Sequence, residues 1–161
     1  MLRFVSYDVV FQEVPNEVTL AINISGCPNK CVGCHSPHLQ EDIGDELDCV
    51  ALTGLLSRYH GLITCVCFMG GDSDTEAVDV LAAFVRKITL GQIKTAWYSG
   101  RNQFPVNVSL NHFNYIKLGS FIEKLGGLDS ICTNQRFFKI DKGNVFDCTY
   151  LFLSESVCSM E

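Results

Sequence analysis

Three cysteines fall within eight residues, Cys27, Cys31 and Cys34, spaced C-x3-C-x2-C in the stretch Gly26-Cys27-Pro28-Asn29-Lys30-Cys31-Val32-Gly33-Cys34-His35. For three side chains so close in sequence to face one point, the stretch must be a loop that turns back on itself, and Pro28 and Gly33 supply the turning residues. The residues before it fix where the loop sits. Val18, Leu20, Ile22 and Ile24 alternate with Thr19, Ala21, Asn23 and Ser25, the period-two pattern of a strand, and the strand runs straight into Gly26. The triplet therefore stands just past the C-terminal end of a strand, the edge where α/β sheets place their ligands.

The rest of the chain reads as one α/β domain. Residues 4–14 are β-branched and aromatic and stop at Pro15-Asn16, which predicts an opening hairpin. Leu52, Leu55, Leu56 and Tyr59 recur at helical spacing in a helix expected from near Asp45 to Gly61. Residues 62–69 form an apolar run of strand length, as a strand covered on both faces requires, and Gly70-Gly71-Asp72 ends it. Ser73-Asp74-Thr75-Glu76 carries a capping-box pattern ahead of an apolar stripe through Ala77, Leu81, Phe84, Val85 and Ile88. Further strands are expected at 93–99, 115–118, 135–140 and 145–153. Alternation of strands and helices predicts a mainly parallel sheet, and 161 residues are too few for a full eight-unit barrel, which needs about 200 or more. We expect residues 1–17 to form an N-terminal strand or hairpin, 18–120 the β/α core and 121–161 C-terminal strands.

Composition narrows the chemistry. A net charge of −6 with no Lys/Arg cluster leaves little to neutralise phosphates, so nucleic acid is not an expected partner. The N-terminus lacks the order of a signal peptide, and no apolar run approaches the ~18 residues of a membrane span, so a cytoplasmic protein with no membrane partner is expected. Nine cysteines raise the alternative of a secreted disulfide scaffold, yet the count is odd and the chain is rich in apolar periodic segments. Cys49, Cys65, Cys67, Cys132, Cys148 and Cys158 read as small buried hydrophobes. The triplet reads as a ligand set for an iron-sulfur cluster. Three thiolates would leave one iron of a 4Fe-4S cubane without a protein ligand. The alternative is structural zinc with His35 or His38 as fourth ligand, although no second ligand pair stands elsewhere in the chain.

The C-x3-C-x2-C spacing resembles the cluster motif of the radical S-adenosylmethionine (SAM) superfamily. Gly70-Gly71-Asp72, at the end of the next strand, looks like that family's glycine-rich motif for the methionine end of SAM. Gly33 stands before the last cysteine where many members have an aromatic, with a ring following at His35. That arrangement resembles the activating proteins of anaerobic (class III) ribonucleotide reductase. Trp97-Tyr98-Ser99-Gly100 and Thr133-Asn134-Gln135 extend the likeness, which covers roughly Val18 to Arg136. Relatives carry an Asp-Gly pair where this chain has Leu118-Gly119.

The resemblance implies a partial (β/α) barrel of the radical SAM type holding one 4Fe-4S cluster on Cys27, Cys31 and Cys34. SAM would lie against Gly33, His35, Gly70, Gly71, Asp72 and Ser99, although a strand-terminating hydroxyl is the plainer account of Ser99. The implied activity is reductive cleavage of SAM to a 5'-deoxyadenosyl radical that draws a hydrogen from a glycine of the reductase large subunit. The electron would come from a low-potential donor such as flavodoxin or ferredoxin, and no catalytic side chain is required beyond the cluster and SAM. Alternatives are an activase of another glycyl-radical enzyme, a small radical SAM enzyme acting on a metabolite, or a non-catalytic zinc- or cluster-bearing module.

Overall fold

A computed structural model describes residues 1–153. Cys158 and the end of the strand expected to reach Leu153 are affected differently: Cys158 lies outside the described residues, whereas the segment 145–153 divides into a strand and a turn of 3-10 helix.

Among the described residues eight strands form one open sheet in the order β3-β1-β2-β4-β5-β6-β7-β8. Its centre is parallel: β2 (Thr19–Ile24), β4 (Cys65–Met69), β5 (Lys94–Tyr98) and β6 (Tyr115–Leu118) run side by side in one direction. Around them β1 (Leu2–Val10), β3 (Asp45–Leu47), β7 (Arg136–Asp141) and β8 (Asn144–Asp147) pair antiparallel. The sheet is thus mixed, with more antiparallel pairings than parallel ones, and the expectation of a mainly parallel sheet is corrected. The reason lies in the connections. A parallel return needs a crossover of a dozen or more residues, usually a helix, and among the described residues α-helices follow only β3 and β4. The chain leaves β6 through 119–135 without forming one, and β7 turns into β8 through Lys142 and Gly143, both at positive φ (49° and 79°), as a tight hairpin turn requires.

A second correction concerns the segment after Gly44. The expected helix does not begin near Asp45, because Asp45–Leu47 pairs with the outer edge of β1 instead. Gly44, at φ 96°, passes so close to the Phe4 carbonyl that a Cβ would collide with it. The helix α1 (Cys49–Arg58) starts only after Asp48, whose carboxylate accepts from Ala51 N. The next helix, α2 (Thr75–Ile88), is capped by Asp74 accepting from Ala77 N at 3.1 Å, one residue beyond the serine of the expected capping box.

Because β2, β4, β5 and β6 are laid down in sequence order, right-handed crossovers put both helices on the same face. That face holds the main core, with Leu20, Ile22, Ile24, Phe68 and Trp97 of the strands packed on Leu52, Leu55, Val78, Leu81 and Val85 of the helices. The opposite face carries a smaller cluster of Cys65, Cys67 and Ala96 under Val14, Leu128 and Phe137. Cys65 and Cys67 thus share a face while Val66 turns to the helices. Among the described residues the core reading of the scattered cysteines holds in full for these two; Cys49 and Cys148 are half-buried against the edges of the two clusters, and Cys132 is exposed.

Candidate functional site

The C-terminal ends of the four parallel strands meet along one edge, and each delivers a loop there. Ile24 leads to the cysteine loop, Met69 to Gly70-Gly71-Asp72, Tyr98 to Ser99-Gly100 and Leu118 to Gly119. On the face away from the helices, Asn23, Met69, Tyr98 and Lys117 lie opposite one another in register across these strands. They contribute to the wall of a cavity of about 310 Å³ that also touches Cys27, Cys34, His35, Gly70 and Phe121.

The cysteine loop turns where Gly26, Lys30 and Gly33 take positive φ (72°, 46° and 75°). Its start is pinned by Gly26 N and Cys27 N donating to the Glu41 and Leu39 carbonyls at 2.9 and 2.8 Å. Cys27, Cys31 and Cys34 are free, half-buried thiols. They share one loop at the rim, but among the described residues no three metal-ligating side chains are drawn into a preformed metal site. His35 packs its ring on Phe121, centroids 4.7 Å apart. The donor set suits a soft metal centre: three thiols with no disulfide, two of them facing a cavity, on a loop whose turning residues let it close.

Gly70 and Gly71 need their missing side chains. Gly70 sits at φ 105°, donates its N–H to the Tyr98 carbonyl at 3.0 Å and accepts from Trp97 Nε1 at 2.8 Å. At Gly71, φ 94°, a Cβ would stand 2.5 Å from Val78 Cγ2. The turn is therefore held by the core beneath it.

Asp72 is 5% exposed, and its carboxylate is the hub of the edge. Oδ1 accepts from the fully buried Ser99 hydroxyl at 2.6 Å; Oδ2 accepts from Gly100 N at 2.8 Å and from Asn29 Nδ2 at 2.7 Å. Ser99 Oγ in turn accepts from Arg101 N at 3.0 Å. Asp72 and Ser99 thus lie together as expected for one site, but they spend their polar atoms on each other and on the neighbouring loops.

Two residues of this edge carry no motif. Lys117 is 9% exposed and projects from β6 beside the cavity, donating to the Gly119 and Ser99 carbonyls at 2.9 and 3.4 Å, with its ammonium 5.7 Å from the Tyr98 ring centroid. Burial pulls its pKa down to about 8, against the opposing pull of Asp72 and the thiols of Cys31, Cys67 and Cys27. Its one sequence signal is a lysine within an apolar strand. Asn29 is the other, and nothing local ties it to Asp72, forty-three residues away. By contrast, burial pushes the Cys65 thiol up to about 12, with Glu17 adding to the effect, and pushes Cys67 well above the ordinary thiol range. Those two are inert.

No protein-family model matches the chain, and no curated protein or solved structure matches it either.

Proposed function

We propose that this protein is a radical SAM activase that generates a glycyl radical on the large subunit of anaerobic ribonucleotide reductase, on a sheet of the partial-barrel type. One observation carries the reading. The C-x3-C-x2-C loop and the Gly70-Gly71-Asp72 turn, the two motifs of the resemblance, follow adjacent parallel strands, border one cavity and are joined by the Asn29–Asp72 hydrogen bond.

Cys27, Cys31 and Cys34 would hold a 4Fe-4S cluster, which when bound supplies a low-potential electron to a SAM sulfonium. The chain's own residues shape the space. Gly70 and Gly71 let a ligand approach the backbone at the end of β4. Asp72, held by three donors, keeps the cysteine loop against the ends of β4 and β5. Met69 and Tyr98 form an apolar floor, and Lys117, which makes no salt bridge among the described residues, brings a cation to the wall, suited to an anionic group. His35 and Phe121 form an aromatic rim at the mouth. The electron donor would be a flavodoxin or ferredoxin in the cytoplasm; no helix among the described residues is long and apolar enough to cross a membrane.

The test is anaerobic reconstitution with iron and sulfide, reduction, and measurement of 5'-deoxyadenosine released from SAM. Incubation with a class III reductase should then yield a glycyl radical signal by electron paramagnetic resonance. Uptake of zinc with no thiolate-to-iron absorption and no SAM cleavage would overturn the proposal. Cleavage of SAM without a glycyl radical on that reductase would redirect it to another glycyl-radical enzyme or a metabolite.

A further inference from the structure

We infer that Asn29 is a positioning residue, a latch that seats the cysteine loop on the ends of β4 and β5 and aims an N–H at Cys27. Its Nδ2 lies 2.7 Å from Asp72 Oδ2 and 3.6 Å from Cys27 Sγ. An amide nitrogen carries two hydrogens, so one atom serves both contacts. The orientation is fixed by chemistry. Flipping the amide would set its oxygen against a carboxylate and a sulfur, neither of which donates when ionised.

The space for this contact is provided by Gly100. A Cβ there would collide with Asn29 Nδ2, and the Gly100 N–H donates to the same Asp72 oxygen that Asn29 reaches. Asp72 is buried, and its other oxygen accepts from buried Ser99. The latch therefore rests on a rigid base made from two strand ends, and the loop it holds carries the cysteines. A donor to a ligating sulfur favours the more negative, reduced state of a metal–thiolate centre and so raises its reduction potential. Position and potential are coupled through one side chain.

Two arms test the latch, and only the second rests on the proposed function. In the first, hydrogen exchange of residues 26–35 is followed by mass spectrometry in the anaerobic apoprotein. Asn29→Ala is expected to speed exchange there by about 10-fold or more, the scale of losing a hydrogen bond to a buried charge. Gly100→Ala should do the same with Asn29 still present, while exchange in α2 stays as in the wild type and reports intact folding. Unchanged exchange in both variants overturns the latch. In the second arm, the reconstituted Asn29→Ala protein should show a lower midpoint potential than wild type. Faster exchange with an unmoved potential overturns the role toward Cys27. Failure of the wild type to take up a cluster sinks the functional reading, and the exchange arm still decides the latch.

Discussion

The two edges of the parallel strands are both polar, and they differ in what their polar groups are paired with. At the N-terminal edge, Glu17 is 8% exposed and gathers Lys94, the Thr64 hydroxyl at 2.5 Å and the Tyr115 hydroxyl at 3.3 Å around one carboxylate. Thr64 also accepts from Val18 N. Every member stands at the start of β2, β4, β5 or β6, and the partners close on one another. At the C-terminal edge, Asp72 is a similarly buried carboxylate, but one of its donors, Asn29, comes from the loop that carries three thiols, and a cavity opens beside it. Among the described residues Lys117 there donates only to carbonyls, those of Ser99 and Gly119. One edge is a fastening; the other holds charge and sulfur in reserve.

Substitutions should separate the two. The largest effect is expected at the open edge: if the proposed function holds, Cys27→Ala, Cys31→Ala or Cys34→Ala should abolish thiolate-to-iron absorption and 5'-deoxyadenosine formation, because two thiolates would not retain a cubane cluster. Cys49→Ala and Cys132→Ala should leave both intact. Loss of the cluster on Cys49→Ala with tolerance at Cys34→Ala would break the comparison.

Next is Gly71→Ala, which places a Cβ against Val78 at a positive φ. We expect a loss of about 2–4 kcal/mol from overpacking and backbone strain together, read from urea unfolding. A loss under about 1 kcal/mol would mean that the turn yields more easily than its contacts imply.

Lys117 gives a pH signature. The folded amine holds its proton less tightly than the unfolded chain does, with a pKa of about 8 against an ordinary 10.5. Between those values the unfolded state binds the extra proton, so stability from this group rises with pH. Relative to Lys117→Met, the wild type should gain on the order of 2 kcal/mol between pH 7.5 and 10, measured by denaturant unfolding at each pH. A flat difference would show that the amine stays charged.

The smallest effect belongs to the closed edge. Glu17→Gln should cost about 1–2 kcal/mol, since the amide keeps some of the hydrogen bonds, and should leave cluster uptake untouched. Lys94 has its pKa raised first by the hydrogen bond it donates to Glu17, so the pair's stability is complete below the ordinary lysine value and fades as pH rises above it. Glu17→Gln should flatten that alkaline loss. A fall in cluster occupancy would show that the two edges are not independent.

Much of this edge was legible from spacing alone. The alternation of 18–25 ending at Gly26, and the apolar run ending at Gly70, located both motifs at strand ends, because period-two burial and chain-breaking glycines are local properties. The strand at Asp45–Leu47 was not legible. Its three residues carry no β signature, and they are extended only because β1 offers an unpaired edge and Gly44 can pass the Phe4 carbonyl. The antiparallel flanks were hidden for a similar reason, since strand direction depends on connections that alternation does not encode. Cys132 misled by composition, its apolar neighbour Ile131 being exposed as well.

What the sequence determined by itself is the chemistry within reach of one loop: three soft donors in eight residues, with the turning residues that let them converge, and a glycine turn two segments later. Tertiary structure decided what surrounds them. Asn29 meets Asp72 and Gly100 because two adjacent parallel strands end level, and Lys117 reaches the cavity because register places it in line with Tyr98, Met69 and Asn23. Contacts between residues forty to ninety positions apart are set by how strands stack in a sheet, and no local pattern in the chain records that order.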